Sequence, residues 1–148
     1  ESRATLYSEV YDELFATVPD HPQITKQTTV AERAAAIASQ VAFLRRFMDA
    51  ETGFIEIGAG DCALSVAVAP FVRTVQAIDV SNTITDGFKH PANFRLHISK
   101  GTDLGVDDAS ISLAYSNQLI EHLHPDDAVD QMRNVVRALR PGERRHDR

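Results

Sequence analysis

Gly58 and Gly60 stand two apart where the apolar run Phe54-Ile-Glu-Ile57 meets the small residues Cys62 and Ala63. Glycines in such a turn let the backbone take left-handed conformations and come close to a neighbour with no side chain between. Read as G-x-G-x-x-A, Gly58 to Ala63 fits a dinucleotide-binding turn. Asp79 follows at roughly the twenty-residue separation expected of an acid that accepts hydrogen bonds from a ribose. Its plainer reading is a cap after a strand. Cys62 is the sole cysteine, so an internal disulfide and a cysteine metal cluster are both excluded. It reads as a small apolar filler under the turn. His122 follows Glu121 and is a candidate general base, with a structural histidine as the alternative. His124, two residues on, lies on a different helical face and reads as the cap of a helix starting at Pro125. The six histidines show no metal-ligand pattern.

These residues need a scaffold, and the periodicity supplies one. Thr5 to Thr17 reads as a short helix, stopped by Val18-Pro-Asp-His-Pro22. Val30 to Met48 is a second, with Ala34, Ile37, Val41, Leu44 and Met48 on one line and Thr28 or Thr29 as its cap. Phe54 to Ile57 is a short strand. A helix from Ala63 to Phe71 follows the glycine turn, then a strand from Thr74 to Ile78 with Asp79 at its end. Ser81 to Phe88 is a turn or short helix. Asn93 to Ser99 alternates as a third strand, and Ile111 to Tyr115 is a fourth. Pro125 to Leu139 is a helix with acids Asp126 and Asp127 at its start and Arg137 and Arg140 at its end. Its predicted buried stripe is Ala128, Met132, Val135, Val136 and Leu139. This grammar predicts an α/β fold: a Rossmann-like open parallel sheet of order 3-2-1-4, helices on both faces, and N-terminal helices. The switch point falls between the first and fourth strands, flanked by Gly58 to Cys62 and by Ser116 and Asn117.

Read from Glu56, the turn is E-x-G-x-G-x-C, and this resembles the first motif of class I S-adenosylmethionine-dependent methyltransferases, with Cys62 in place of the third glycine. Asp79 falls where that family places its ribose acid. Ser112 to Pro125 resembles the segment leaving the fourth strand in the small-molecule branch, and Arg137-Ala-Leu-Arg-Pro-Gly142 resembles its helix-ending turn. The resemblance covers roughly Val30 to Gly142. It implies S-adenosylmethionine as cofactor, methyl transfer to a small-molecule acceptor, and a cofactor site of Glu56, Gly58, Ala59, Gly60, Asp79, Val80, Ser116 and Asn117. Glu56 would face the ligand's ammonium group or order the loop. Tyr7 and Tyr11 are packing residues or part of an N-terminal lid. Two alternatives stay open: a fragment of an NAD-dependent oxidoreductase, and a non-catalytic domain that keeps the fold for protein contact.

The chain departs from the family pattern in places. Lys100 stands where an acid reads the adenine amino group, with Asp103 three residues away, and Ser112 stands where a second acid is usual. After Pro141-Gly142 an apolar fifth strand is expected, and Glu-Arg-Arg-His-Asp-Arg148 comes instead. That predicts a single partial domain, 1–148: an N-terminal segment over 1–29, a cofactor core over 30–142 and a charged tail over 143–148. It also predicts a truncated member of the family with an exposed fourth-strand edge, open to pairing with a second copy. The start at Glu1 suggests a trimmed N-terminus. The 148 residues, 43% apolar and 24% charged, suit one globular core. A net charge of -6 argues against nucleic-acid and anionic-membrane partners. With no membrane span or signal peptide visible, the cytoplasm is the expected location.

Overall fold

The structure, a computed structural model, describes residues 3–17, 29–80, 90–99 and 101–142. The expected features at Val18 to Pro22 and Ser81 to Phe88, Lys100, and the tail over 143–148 lie outside the described residues.

Among the described residues, two helices precede the sheet: α1, Arg3–Thr17, and α2, Val30–Leu44. Thr29 caps α2. Its hydroxyl accepts from the Glu32 amide, and Glu32 reaches back to the Thr29 amide, a reciprocal capping box. Strand β1, Gly53–Ile57, leads through the glycine turn into the short helix α3, Ala63–Val68, and a 3-10 turn, Ala69–Phe71. Pro70 lies inside that turn, which is why the helix ends before the predicted Phe71. Strands β2, Thr74–Asp79, β3, Phe94–Ile98, and β4, Leu113–Ser116, follow. A 3-10 turn at Ile120–His122 then leads to helix α4, Pro125–Ala138.

The sheet order is β3-β2-β1-β4, and every pair is parallel. This is the predicted order, with the switch point between β1 and β4. Strand β1 is buried at all five positions because it is central and covered on both faces. Phe54 faces a cluster with Leu44, Leu64, Val68 and Val75. Ile55 and Ile57 face the opposite cluster, with Ile78, Ile111, Val135 and Ala138 of α4. Strand alternation therefore sends Glu56 to the side of α2 and α3.

Two sequence expectations need correction. Helix α4 buries Asp127, Gln131, Val135 and Ala138, while Met132 and Val136 are 47% and 67% exposed. The helix carries apolar residues at helical spacing on two faces. The narrower one meets the sheet, and Ala128, Val129, Met132 and Val136 line an outer groove with Ile120 and Arg133. The fourth-strand edge is also not bare along its whole length. Ile111 forms a parallel bridge with Leu139, its amide donating to the Ala138 carbonyl at 3.0 Å and its carbonyl accepting from the Arg140 amide at 2.8 Å. The chain leaving α4 thus lies beside the start of the fourth strand. Among the described residues, Leu113–Ser116 pairs with β1 alone.

Candidate functional site

The strand ends that frame the crevice are in register. Ile57 lies beside Ile78 on one side and Ser116 on the other. Just beyond them, the amides of Gly58 and Ala59 both donate to the Ile78 carbonyl, at 2.8 and 3.0 Å. That pair of bonds folds the chain back over the end of β2. Gly58 and Gly60 both have positive φ, +76° and +55°, where a side chain brings strain.

The two glycines have different neighbours. A Cβ on Gly58 would stand 3.2 Å from the Leu119 side chain. Its bareness accommodates the segment leaving β4. A Cβ on Gly60 would meet nothing within 4 Å, so there the bare backbone faces open space. The Gly60 amide donates to Asp79 Oδ2 at 2.6 Å, and the Val80 amide donates to Oδ1 at 2.8 Å. Asp79 is thus held across the mouth of the turn by two backbone donors.

Beneath the turn sit Glu56 and Cys62. Glu56 is 7% exposed, and the Ser65 hydroxyl donates to its Oε2 at 2.5 Å. Burial pushes its carboxyl up to about 7, the Ser65 hydrogen bonds oppose the rise, and the Asp79 charge adds to it. Cys62 is 1% exposed and has a left-handed backbone, φ +59°, at the start of α3. Burial, with the charges of Glu56 and Asp79, pushes its thiol up to about 12. At neutral pH it is a packed thiol and no nucleophile, in line with the filler reading. Its φ also explains why the position it fills suits glycine.

The structure therefore brings Glu56, Gly58, Ala59, Gly60, Asp79, Val80, Ser116 and Asn117 to one end of the sheet, with Ser116 and Asn117 exposed. His122 lies further along, exposed in the 3-10 turn. Ser112 belongs to the opposite end, where its hydroxyl accepts from the Gly53 amide at 3.2 Å. Asp103 is exposed, and its carboxylate accepts from the Gly105 amide at 3.1 Å. Among the described residues, no group of three or more His, Cys, Asp or Glu could hold a metal. Among them, too, no helix is long and apolar enough to cross a membrane.

Sequence reasoning missed two contacts. Arg33, in the first turn of α2, forms an ion pair with Asp61 of the glycine turn. Asp127 anchors α1: Arg3 donates to both of its carboxylate oxygens at 3.1 to 3.2 Å, and the Tyr7 hydroxyl donates to Oδ2 at 2.8 Å. The Tyr7 oxygen in turn accepts from the His124 amide at 2.9 Å. The hydrogen bonds from Tyr7 and then Arg3 hold the Asp127 carboxyl below its usual range. His124 does cap α4, its Nδ1 accepting from the Asp126 amide at 3.3 Å. The Tyr11 side chain lies outside the described residues.

A family model described as a methyltransferase domain matches residues 54–142. The chain belongs to this methyltransferase family. That membership takes the glycine turn out of the nicotinamide reading. No curated protein matches the chain. Among solved structures, phosphoethanolamine N-methyltransferase 1 of Haemonchus contortus, in complex with phosphoethanolamine and S-adenosylhomocysteine, is similar at TM-score 0.70 and 19% identity. The match covers 93% of this chain and 31% of that one. The 1,6-didemethyltoxoflavin-N1-methyltransferase of Burkholderia thailandensis, bound to 1,6-didemethyltoxoflavin and S-adenosylhomocysteine, is similar at TM-score 0.64 and 17% identity, covering 94% and 59%. The cyclase SpnF is similar at TM-score 0.58 and 17% identity, covering 70% and 42%. The methyltransferase chain thus spans 31% to 59% of the length of these relatives. Since one of them is named for cyclisation, the shared fold does not by itself fix the reaction.

Proposed function

We propose that this methyltransferase domain binds S-adenosylmethionine at the glycine turn and serves methyl transfer to a small-molecule acceptor. The observation that carries the reading is the chemistry of the turn. Gly60 opens onto free space, with the carboxyl groups of Asp79 beside it and Glu56 below it. A ligand with a ribose diol and positive charge suits two carboxyl groups. A pyrophosphate would meet them with like charge.

Bound there, S-adenosylmethionine would supply an electrophilic methyl group on a sulfonium, with the neutral thioether as leaving group when an acceptor nucleophile bonds to the methyl carbon. The chain's own part is to bind, align and manage protons. Asp79, oriented by the Gly60 and Val80 amides, accepts from the ribose hydroxyls. Glu56 orders the start of α3 through Ser65 and keeps a buried carboxyl group under the turn. Ser116 and Asn117 border the crevice on the β4 side. His122 is the candidate base for the acceptor's proton. The 30–142 segment is the cofactor core, and α1, tied to α4 by Asp127, belongs to the acceptor side. A cytoplasmic location is part of the same reading.

The test of the cofactor site is calorimetric titration of S-adenosylhomocysteine into the chain and into Asp79→Ala. The expected loss is about 1.5–3 kcal/mol, as for a hydrogen bond to a charged group. Equal affinity with the fold intact would remove Asp79 from the site.

A further inference from the structure

Of the two apolar lines on α4, one meets the sheet and the other faces outward. The outward groove is lined by Ile120, Ala128, Val129, Met132, Arg133 and Val136, apolar but for Arg133. Val129, Met132 and Val136 stand three and four residues apart, one stripe of the helix, and each is at least 47% exposed. The charges beside that stripe are ordered. Asp126, Asp130, Arg133 and Arg137 recur at the same spacing along one flank, the acids before Met132 and the arginines after it. All four are exposed. Asp130 pairs with Arg133 at 2.8 Å, Arg137 pairs with Asp108, and Arg3 lies 3.8 Å from Asp126. Exposed pairs of this kind hold weakly, so each group can be shared with an incoming partner. A uniformly charged partner, of either sign, would be repelled by half of this flank. A second α4 running the opposite way would meet it with opposite charge throughout.

We infer that the outer face of α4 is a self-association surface, on which a second copy of the chain seats its own α4 antiparallel about a two-fold axis near Met132. A two-fold interface sets one patch against itself and so must be self-complementary. Reversed about Met132, the stripe places Val129 beside the partner's Val136 and Met132 beside the partner's Met132, whose unbranched side chains fit an irregular gap. On the flank, Asp126 and Asp130 come beside the partner's Arg137 and the partner's Arg133. A parallel copy would set acids on acids and arginines on arginines. Burial of the stripe drives association, and the flank fixes its direction, as charged positions beside a helical seam do. The patch is one helix about 20 Å long, short of a standard interface, so the dimer is weak and concentration-dependent.

The experiment is sedimentation equilibrium of the chain between about 5 and 500 micromolar, where weak interfaces of this size associate. The unmodified chain should pass from monomer to dimer. Met132→Glu puts a charge at the centre of the stripe and should raise the dissociation constant at least about tenfold, with circular dichroism unchanged because the position is exposed in the single chain. Asp130→Arg and Arg133→Glu each set like charges across the two-fold and should raise it as well. Mixed one to one, these two variants should dimerise again, since the positive flank of one chain then faces the negative flank of the other. A monomer throughout the range would overturn the inference and leave the groove to a different occupant. So would a dimer that survives Met132→Glu, which would place association elsewhere, as at the fourth-strand edge. A mixture of the two charge variants that associates no more tightly than either alone would overturn it too.

Discussion

Glu56 and Cys62 show how single residues strain this fold for the sake of its turn. A folded-state value of about 7 against an unfolded 4.5 means that the folded chain keeps a proton the unfolded chain has lost. Stability should fall as pH rises through that window, by about 3 kcal/mol in all. Urea unfolding at pH 5 and pH 8 measures the drop, and Glu56→Gln should remove most of it. A drop of the same size in that variant would assign the dependence to other groups. Cys62 carries a left-handed backbone, which costs a non-glycine residue about 1–2 kcal/mol. A β-branched side chain there should be worse, so Cys62→Val should lower the unfolding midpoint more than Cys62→Gly. The reverse order would show that packing outweighs backbone strain. The spacing of Gly58, Gly60 and Asp79 made the candidate site legible in the sequence because it is local. Which glycine faces open space was not legible, since Leu119, the neighbour of Gly58, is sixty-one positions away.

At the scale of elements, the order of strands and helices could be read from periodicity, but the facing of α4 could not. Val135 with Ala138 and Met132 with Val136 each continue an apolar line at helical spacing. Asp127, whose partners Tyr7 and Arg3 are 120 and 124 positions away, lies on the face that turns inward. A local pattern holds no record of such partners. The network also makes α1 dependent on Asp127. Its carboxyl is held low, so its contribution is present above the unfolded value of 3.8. It is lost as pH falls through the folded value. Hydrogen exchange should show α1 opening below that range before the sheet does. Tyr7→Phe should speed exchange in α1 at neutral pH and leave β1 protected. Unchanged exchange in α1 would mean that the Tyr7 hydroxyl does not anchor it.

Over the whole molecule, the described sheet is organised around β1 as an inner strand between β2 and β4. Both faces of β1 are covered, and the chain leaving α4 pairs with Ile111 at the edge. The sequence predicted a bare edge from Ile111 to Tyr115. It missed this bridge because Leu139 reads as the end of a helix, and only the turn of the chain places it beside Ile111. The central claim is that the glycine turn of this methyltransferase domain holds S-adenosylmethionine. The most direct measurement is titration of the chain at pH 7 with S-adenosylmethionine and, separately, with NAD. The expected result is saturable one-to-one binding of S-adenosylmethionine, weakened at least tenfold in Asp79→Ala, with no heat of binding from NAD. Saturable binding of NAD, with none of S-adenosylmethionine, would contradict it.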